Sequence, residues 1–249
     1  MMTRATRYMT SDWVAALLVG LPAVVELALI LHHPVPARTI GSGGSPDQFS
    51  RIAAVIDSNR SFHGVLIMLM LGQLTGLLLL ARRLGPRRAM VVAACVFSAL
   101  AAVLLLLATT NDGFVTYELI SQCRASIAGC DGETRAALAL VLASVQAFTK
   151  LGLTAQSFGF AAFAAALLNR GGQLRLAALA GLVIALAPLG LLASGDYVRP
   201  HLIMQILVAH ALFGVGAALL LASGRVGRPL TSAGHDHNAP THEYAEGRT

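Results

Sequence analysis

Six runs of about 20 consecutive apolar residues dominate the chain, near residues 13–33, 61–81, 89–111, within 136–168, 174–194 and 201–222. A run of that length matches a ~30 Å hydrocarbon core at the ~1.5 Å rise of an α-helix. Lipid offers no water to backbone N–H and C=O groups, so only helices and closed barrels cross it. Barrel strands would read as ~10-residue segments of alternating polarity, and these runs are longer and do not alternate. The sequence therefore predicts an all-α integral membrane protein, a bundle of about six transmembrane helices. Composition agrees, with 12% charged residues and a mean hydropathy of +0.70, where soluble domains carry roughly 25% charged residues.

Charge placement predicts the topology. Arg4 and Arg7 precede the first run, and Arg82, Arg83, Arg87 and Arg88 crowd the turn after the second. Arg170 and Arg175 flank the turn after the fourth, and Arg225 and Arg228 follow the sixth. The opposite connections carry arginines interspersed with Asp47, Asp57, Asp112, Glu118, Asp131, Glu133 and Asp196. The positive-inside rule assigns the arginine-dense side to the cytoplasm, giving an N-in, C-in protein. The excess of Arg over Lys and the Ala, Leu and Gly content suggest a GC-rich bacterial genome, hence a bacterial inner membrane. The net charge of +6 is explained by topology, so no nucleic-acid partner is expected. The lipid bilayer is the expected partner, with a second copy or another membrane subunit left open.

The expected organisation is a cytoplasmic segment at 1–12, a transmembrane domain at 13–224 and a disordered cytoplasmic tail at 225–249. Trp13–Leu31 exceeds the usual 7–15 residues of a signal-peptide core and lacks a cleavage site. Outer loops are expected at 34–60, with a Gly-Ser-rich stretch at 41–46, and at 112–135. The second loop holds Cys123 and Cys130, which on an oxidising periplasmic side would form a disulfide; Cys95 lies in the third run. Gly72 and Gly76 form a GxxxG, the pattern that lets transmembrane helices approach closely. Pro188 is expected to kink the fifth span. The tail histidines His235, His237 and His242 read as solvated. No phosphate loop, nucleophile elbow or HExxH motif is present.

Polar residues within the apolar runs are the candidate site. Converting sequence distance from the run ends into depth places His33, His63, Asp112, Lys150 and His201 at one outer level. Deeper lie Glu26, Gln73, Gln205 and His210. Glu26 is about two turns below His33 on the same face, and His210 lies on the opposite face of its helix from His201. An intramembrane carboxyl costs ~2.5–3.5 kcal/mol on insertion scales and marks a functional site by default. Glu26 is thus expected to face the bundle interior, neutral or paired with a histidine. Gln146, Lys150, Thr154 and Ser157 form a stripe expected to face the interior as well. The expectation is a periplasm-facing polar cavity of undetermined activity. Two alternatives stand beside it. One is a metal- or haem-binding enzyme or electron carrier using His33, His63, Asp112 and His201. The other is a proton-coupled transporter relaying through Glu26, Gln73 and His210. The sequence specifies no cofactor.

Overall fold

A computed structural model of the chain describes residues 4–32, 46–125, 131–170, 172–193, 200–224 and 226. His33, Cys130 and the tail histidines lie outside the described residues. Among the described residues seven α-helices follow in order: α1 (Arg4–Leu31), α2 (Pro46–Leu84), α3 (Ala89–Thr110), α4 (Thr116–Ala125), α5 (Gly132–Leu167), α6 (Gly172–Ala193) and α7 (Pro200–Ala222). A π-helical turn, Asn111–Val115, joins α3 to α4 without a break. Six helical segments are long and apolar enough to cross a membrane: Asp12–Leu31, Val55–Leu84, Ala89–Arg124, Gly132–Leu167, Gly172–Ala193 and Met204–Ala222.

The arginine-dense end is assembled from separate elements. Arg83 Nε lies 2.7 Å from Asp12 Oδ1, which ties the end of α2 to α1 about two turns into that helix. Burial, reinforced by the nearby Arg88 guanidinium, lowers the pKa of Arg170 and places the end of α5 beside the start of α3. Apolar side chains close-pack just above this end. Val19, Leu77, Leu80, Leu84, Val91, Phe160, Phe163 and Phe213 belong to one buried cluster, to which α1, α2, α3, α5, α6 and α7 all contribute. Small residues set the crossing distances. A Cβ built on Gly76 would meet Val19 Cγ2 at 2.6 Å and the backbone of Leu18 and Val19 at 2.8 Å. Gly76, one of the two glycines of the α2 GxxxG, therefore seats α1 at backbone contact, close packing being a main source of helix association where both surroundings are apolar.

The outer connections differ from the expected loops. Residues 46–60 are helical as the start of α2, which runs for 39 residues. Residues 112–125 are helical through the π turn and α4. Both segments are too polar for a hydropathy window yet keep a helical period. Ile56 and Asn59 are buried on α2, and Gly113, Thr116 and Ile120 are buried beyond α3. α5 is unbroken over 36 residues, about 54 Å of helix, well beyond a ~30 Å hydrocarbon core. The surplus is packed: Ile56, Ile120 and Leu138 make a separate small core where α2, α4 and α5 continue past the bundle. Asp131 caps α5 by accepting from the Thr134 N–H at 2.7 Å. That bond holds its carboxyl below the usual carboxylate range.

Candidate functional site

A cavity of ≈ 230 Å³ lies at the level where the apolar cluster ends. Its wall follows helical periodicity on five elements: Ala23, Glu26, Leu27 and Ile30 of α1; His63, Leu66, Met70 and Gln73 of α2; and Leu105, Ala108, Thr109 and Asp112 of the α3 rod. Val145, Thr149, Leu153 and Gln156 of α5 and Leu207, His210 and Ala211 of α7 complete it, with Phe62 at the rim. Spacings of three and four residues put each set on one helix face. α6 contributes nothing to this wall and packs outside against α5 and α7.

The polar groups fall in two layers. In the deeper one, Gln156 Nε2 donates to Gln73 Oε1 at 3.2 Å, and Ser157 Oγ lies 2.9 Å from His210 Nε2. Gln73, Gln156, Ser157 and His210 are all buried. Phe160 sits edge-on to the His210 ring, with centroids 5.3 Å apart, and stacks on Phe213 at 4.2 Å. These aromatic rings belong to the buried apolar cluster and give His210 an apolar floor. Glu26 stands at the same level. A Cβ on Gly214 would lie 2.7 Å from the Ala23 Cβ, so the two helices touch there. Glu26 is then about 4.5 Å further along α1 and His210 about 6 Å back along α7, both away from the floor. Glu26 Oε1 and His210 Nδ1 are buried and have no hydrogen-bond partner among the described residues.

Interhelical side-chain hydrogen bonds in membrane proteins average only ~0.6 kcal/mol in double-mutant cycles. Two such bonds do not hold the bundle together, and close packing does most of that. The polar layer fixes side-chain orientation within an already packed frame.

The outer layer is built around His63. Its Nε2 lies 3.0 Å from Asp112 Oδ2, and its Nδ1 lies 2.7 Å from the Asn59 carbonyl. The Asn59 carbonyl can only accept, so His63 Nδ1–H donates to it, leaving Nε2 facing the Asp112 carboxyl. Asn59 Nδ2 donates to the Asp112 carbonyl at 3.2 Å, locking α2 to the π turn. The π turn places Asp112 here, with Thr116 Oγ1 donating to the Asn111 carbonyl at 3.0 Å. Gly113 is the contact point, since a Cβ there would overlap the His63 Cβ. The Asp112 side chain is 32% exposed where His63 is 6% exposed, so Asp112 marks the mouth. Beside it, Arg60 covers the Tyr117 ring at 4.8 Å.

Glu26, His63, Gln73, Asp112 and His210 thus line one cavity, whereas two other sequence candidates do not. Gln205 is exposed, roughly 160° around α7 from the face of Leu207, His210 and Ala211. Lys150 is exposed as well, about 100° around α5 from the cavity face. Of the stripe Gln146, Lys150, Thr154 and Ser157, the first three are not buried, whereas Ser157 is buried and meets His210. The period was helical but its phase was misjudged; the inward stripe is Val145, Thr149, Leu153 and Gln156. Gln156, Thr149 and Thr109 are cavity residues that sequence reasoning missed. Thr149 and Gln156 share a face seven residues apart, and that signal was present in the sequence.

His33 lies outside the described residues, and His201 is described only as backbone within α7. Of the four-residue metal set, His63 and Asp112 remain as a pair. Among the described residues no group of three His, Cys, Asp or Glu side chains is arranged to hold a metal ion. Cys123 is disulfide-bonded and Cys95 is a free, half-buried thiol. In comparisons with known proteins, no family model, no curated protein and no solved structure matches this chain.

Proposed function

We propose that the chain is a multi-pass bacterial inner-membrane protein, with both termini cytoplasmic, that binds a small solute in a cavity facing the periplasm and belongs to the proton-coupled carrier class. One observation carries this reading. Five helices each bring at least one polar residue to a single, mostly apolar cavity, with the part-exposed Asp112 at one end and Phe160 and Phe213 packed beyond His210. A cavity of this kind, open on the Asp112 side, would have the form of an outward-facing carrier. Glu26, His210 and the His63–Asp112 pair are groups that exchange protons, which supports coupling. The arginine-dense end supports the orientation. Drug-sized ligands fill ~300–1,000 Å³, so ≈ 230 Å³ favours a smaller solute and disfavours a haem.

The test is side-specific labelling. In a Cys95→Ala background that keeps Cys123 and Cys130, a Met70→Cys thiol in the cavity wall should react with a small membrane-impermeant thiosulfonate added to the periplasmic face. A Val91→Cys thiol in the packed cluster should not. A reporter after Arg228 should read cytoplasmic, and one near Gly43 periplasmic. Labelling of Met70→Cys only from the cytoplasmic face, or reversed reporters, would overturn the proposal.

A further inference from the structure

We propose that the cavity selects a small organic monocation with an apolar body, an arylalkyl- or alkylammonium, whose ammonium group seats against Glu26; this rests on the solute-binding reading above. The charge pattern of the wall is one-sided. Its titratable residues are Glu26, Asp112, His63 and His210, and neither Lys nor Arg is among the lining residues. Asp112 is committed to His63, and His210 Nε2 to Ser157. Glu26 Oε1 is left buried with no partner among the described residues. A buried carboxyl oxygen without a donor is unfavourable, and a cation bringing its own N–H groups removes that cost. An anion entering the same space would meet Glu26 with no lysine or arginine in the lining to offset it.

The second unpartnered atom fits the same ligand. When His210 Nε2–H donates to Ser157 Oγ, its Nδ1 presents a lone pair, and that atom too is buried without a partner. An ammonium carries three N–H donors and no acceptor, so it can serve a carboxyl oxygen and an imidazole nitrogen together. The remaining wall, including Leu27, Leu66, Leu105, Leu153 and Leu207, is aliphatic and suits a hydrocarbon body. Size sets the scale. An apolar cavity of about 150 Å³ accommodates benzene, with its six carbons. In proportion, ≈ 230 Å³ takes about nine non-hydrogen atoms.

The experiment titrates 2-phenylethylammonium, its neutral isostere 2-phenylethanol and an anion of the same number of non-hydrogen atoms, benzoate, against the full chain in lipid nanodiscs, by calorimetry with empty nanodiscs subtracted. The ammonium should bind saturably, the alcohol at least tenfold more weakly and the anion not at all. Glu26→Gln should weaken ammonium binding at least tenfold, and Gln205→Ala, on the far face of α7, should leave it unchanged. Equal affinity for ammonium and alcohol in the unmodified protein, or no ammonium binding, would overturn the inference even if Glu26→Gln failed to fold. Either result combined with periplasmic labelling of Met70→Cys would sink the cation preference alone. Loss of that labelling would sink the solute-binding reading as well.

Discussion

The two glycines of the α2 GxxxG should respond oppositely to alanine. At Gly76 the added Cβ would stand 2.6 Å from Val19 Cγ2 and 2.8 Å from Leu18 C and Val19 N. Comfortable carbon contacts are ≈ 3.5–4.0 Å, so α1 must retreat by about 1 Å, and a gap of that size forfeits up to half of each dispersion well it opens. Two of the three neighbours are backbone atoms and cannot rotate away. Overpacking costs about 1–3 kcal/mol, and this geometry points to the upper half of that range. Alanine recovers roughly 0.5–1 kcal/mol over glycine inside a helix, leaving Gly76→Ala destabilised by about 1–2 kcal/mol. At Gly72 the nearest atoms would be Pro22 Cγ at 3.7 Å and Leu18 Cδ2 at 3.9 Å, ordinary contact distances. Gly72→Ala should therefore be neutral or stabilising by up to about 1 kcal/mol. Reversible unfolding in mixed micelles, followed by circular dichroism, measures both variants against the unmodified chain. Equal effects, or a larger loss at Gly72, would refute the close-approach account of the α1–α2 crossing.

Other outcomes follow from the outer layer and the connections. Asp112→Ala removes one partner of the buried His63 ring and should destabilise by about 1–3 kcal/mol, whereas Asp112→Asn, which still offers an acceptor, should cost less; equal losses in denaturant titrations would argue against the pair. Cys123 should resist alkylation until a reductant is added, with Cys130 the proposed partner in the disulfide; ready labelling of native protein at Cys123 would contradict the bond. Asp131→Ala should reduce hydrogen-exchange protection at the Thr134 amide. Because the folded-state pKa of Asp131 is lowered, the cap's contribution is complete above the ordinary carboxylate range and fades as pH falls through the lowered value. Protection that does not change across that acidic window would dismiss the cap.

Hydropathy made the membrane-length helices legible because the bilayer imposes one length scale on all of them. It failed where helices leave that scale. Residues 46–60 and 112–125 are helical and bury Ile56 and Ile120 against Leu138, yet look like loops to any window tuned to lipid. Counting along each helix was enough to bring Glu26, His63, Gln73, Asp112 and His210 to compatible depths. It was not enough to fix rotation. Lys150 and Gln205 drew attention as polar residues in apolar runs, yet helical phase turns them outward. Phase depends on what each helix packs against, and no single helix carries that information. The Gln73–Gln156 bond joins residues 83 apart in sequence, a pairing that depends on the antiparallel arrangement of the whole bundle.

The π turn at Asn111–Val115 amounts to one surplus residue stored in a rod that is otherwise α-helical. Its register is therefore discontinuous, and positions on either side cannot be related by a single 3.6-residue count. Deleting one residue from this turn would let an ordinary helix re-form through it with the residues beyond it close to their present register. Deleting one residue of regular helix between this turn and Ile120 would instead rotate everything downstream by about 100°. Ile120 would then swing away from Ile56 and Leu138, and the cluster beyond the bundle would lose its third member. The turn is thus the one place in the rod where the loss of a residue should be absorbed, and it should tolerate a single deletion far better than its helical flanks.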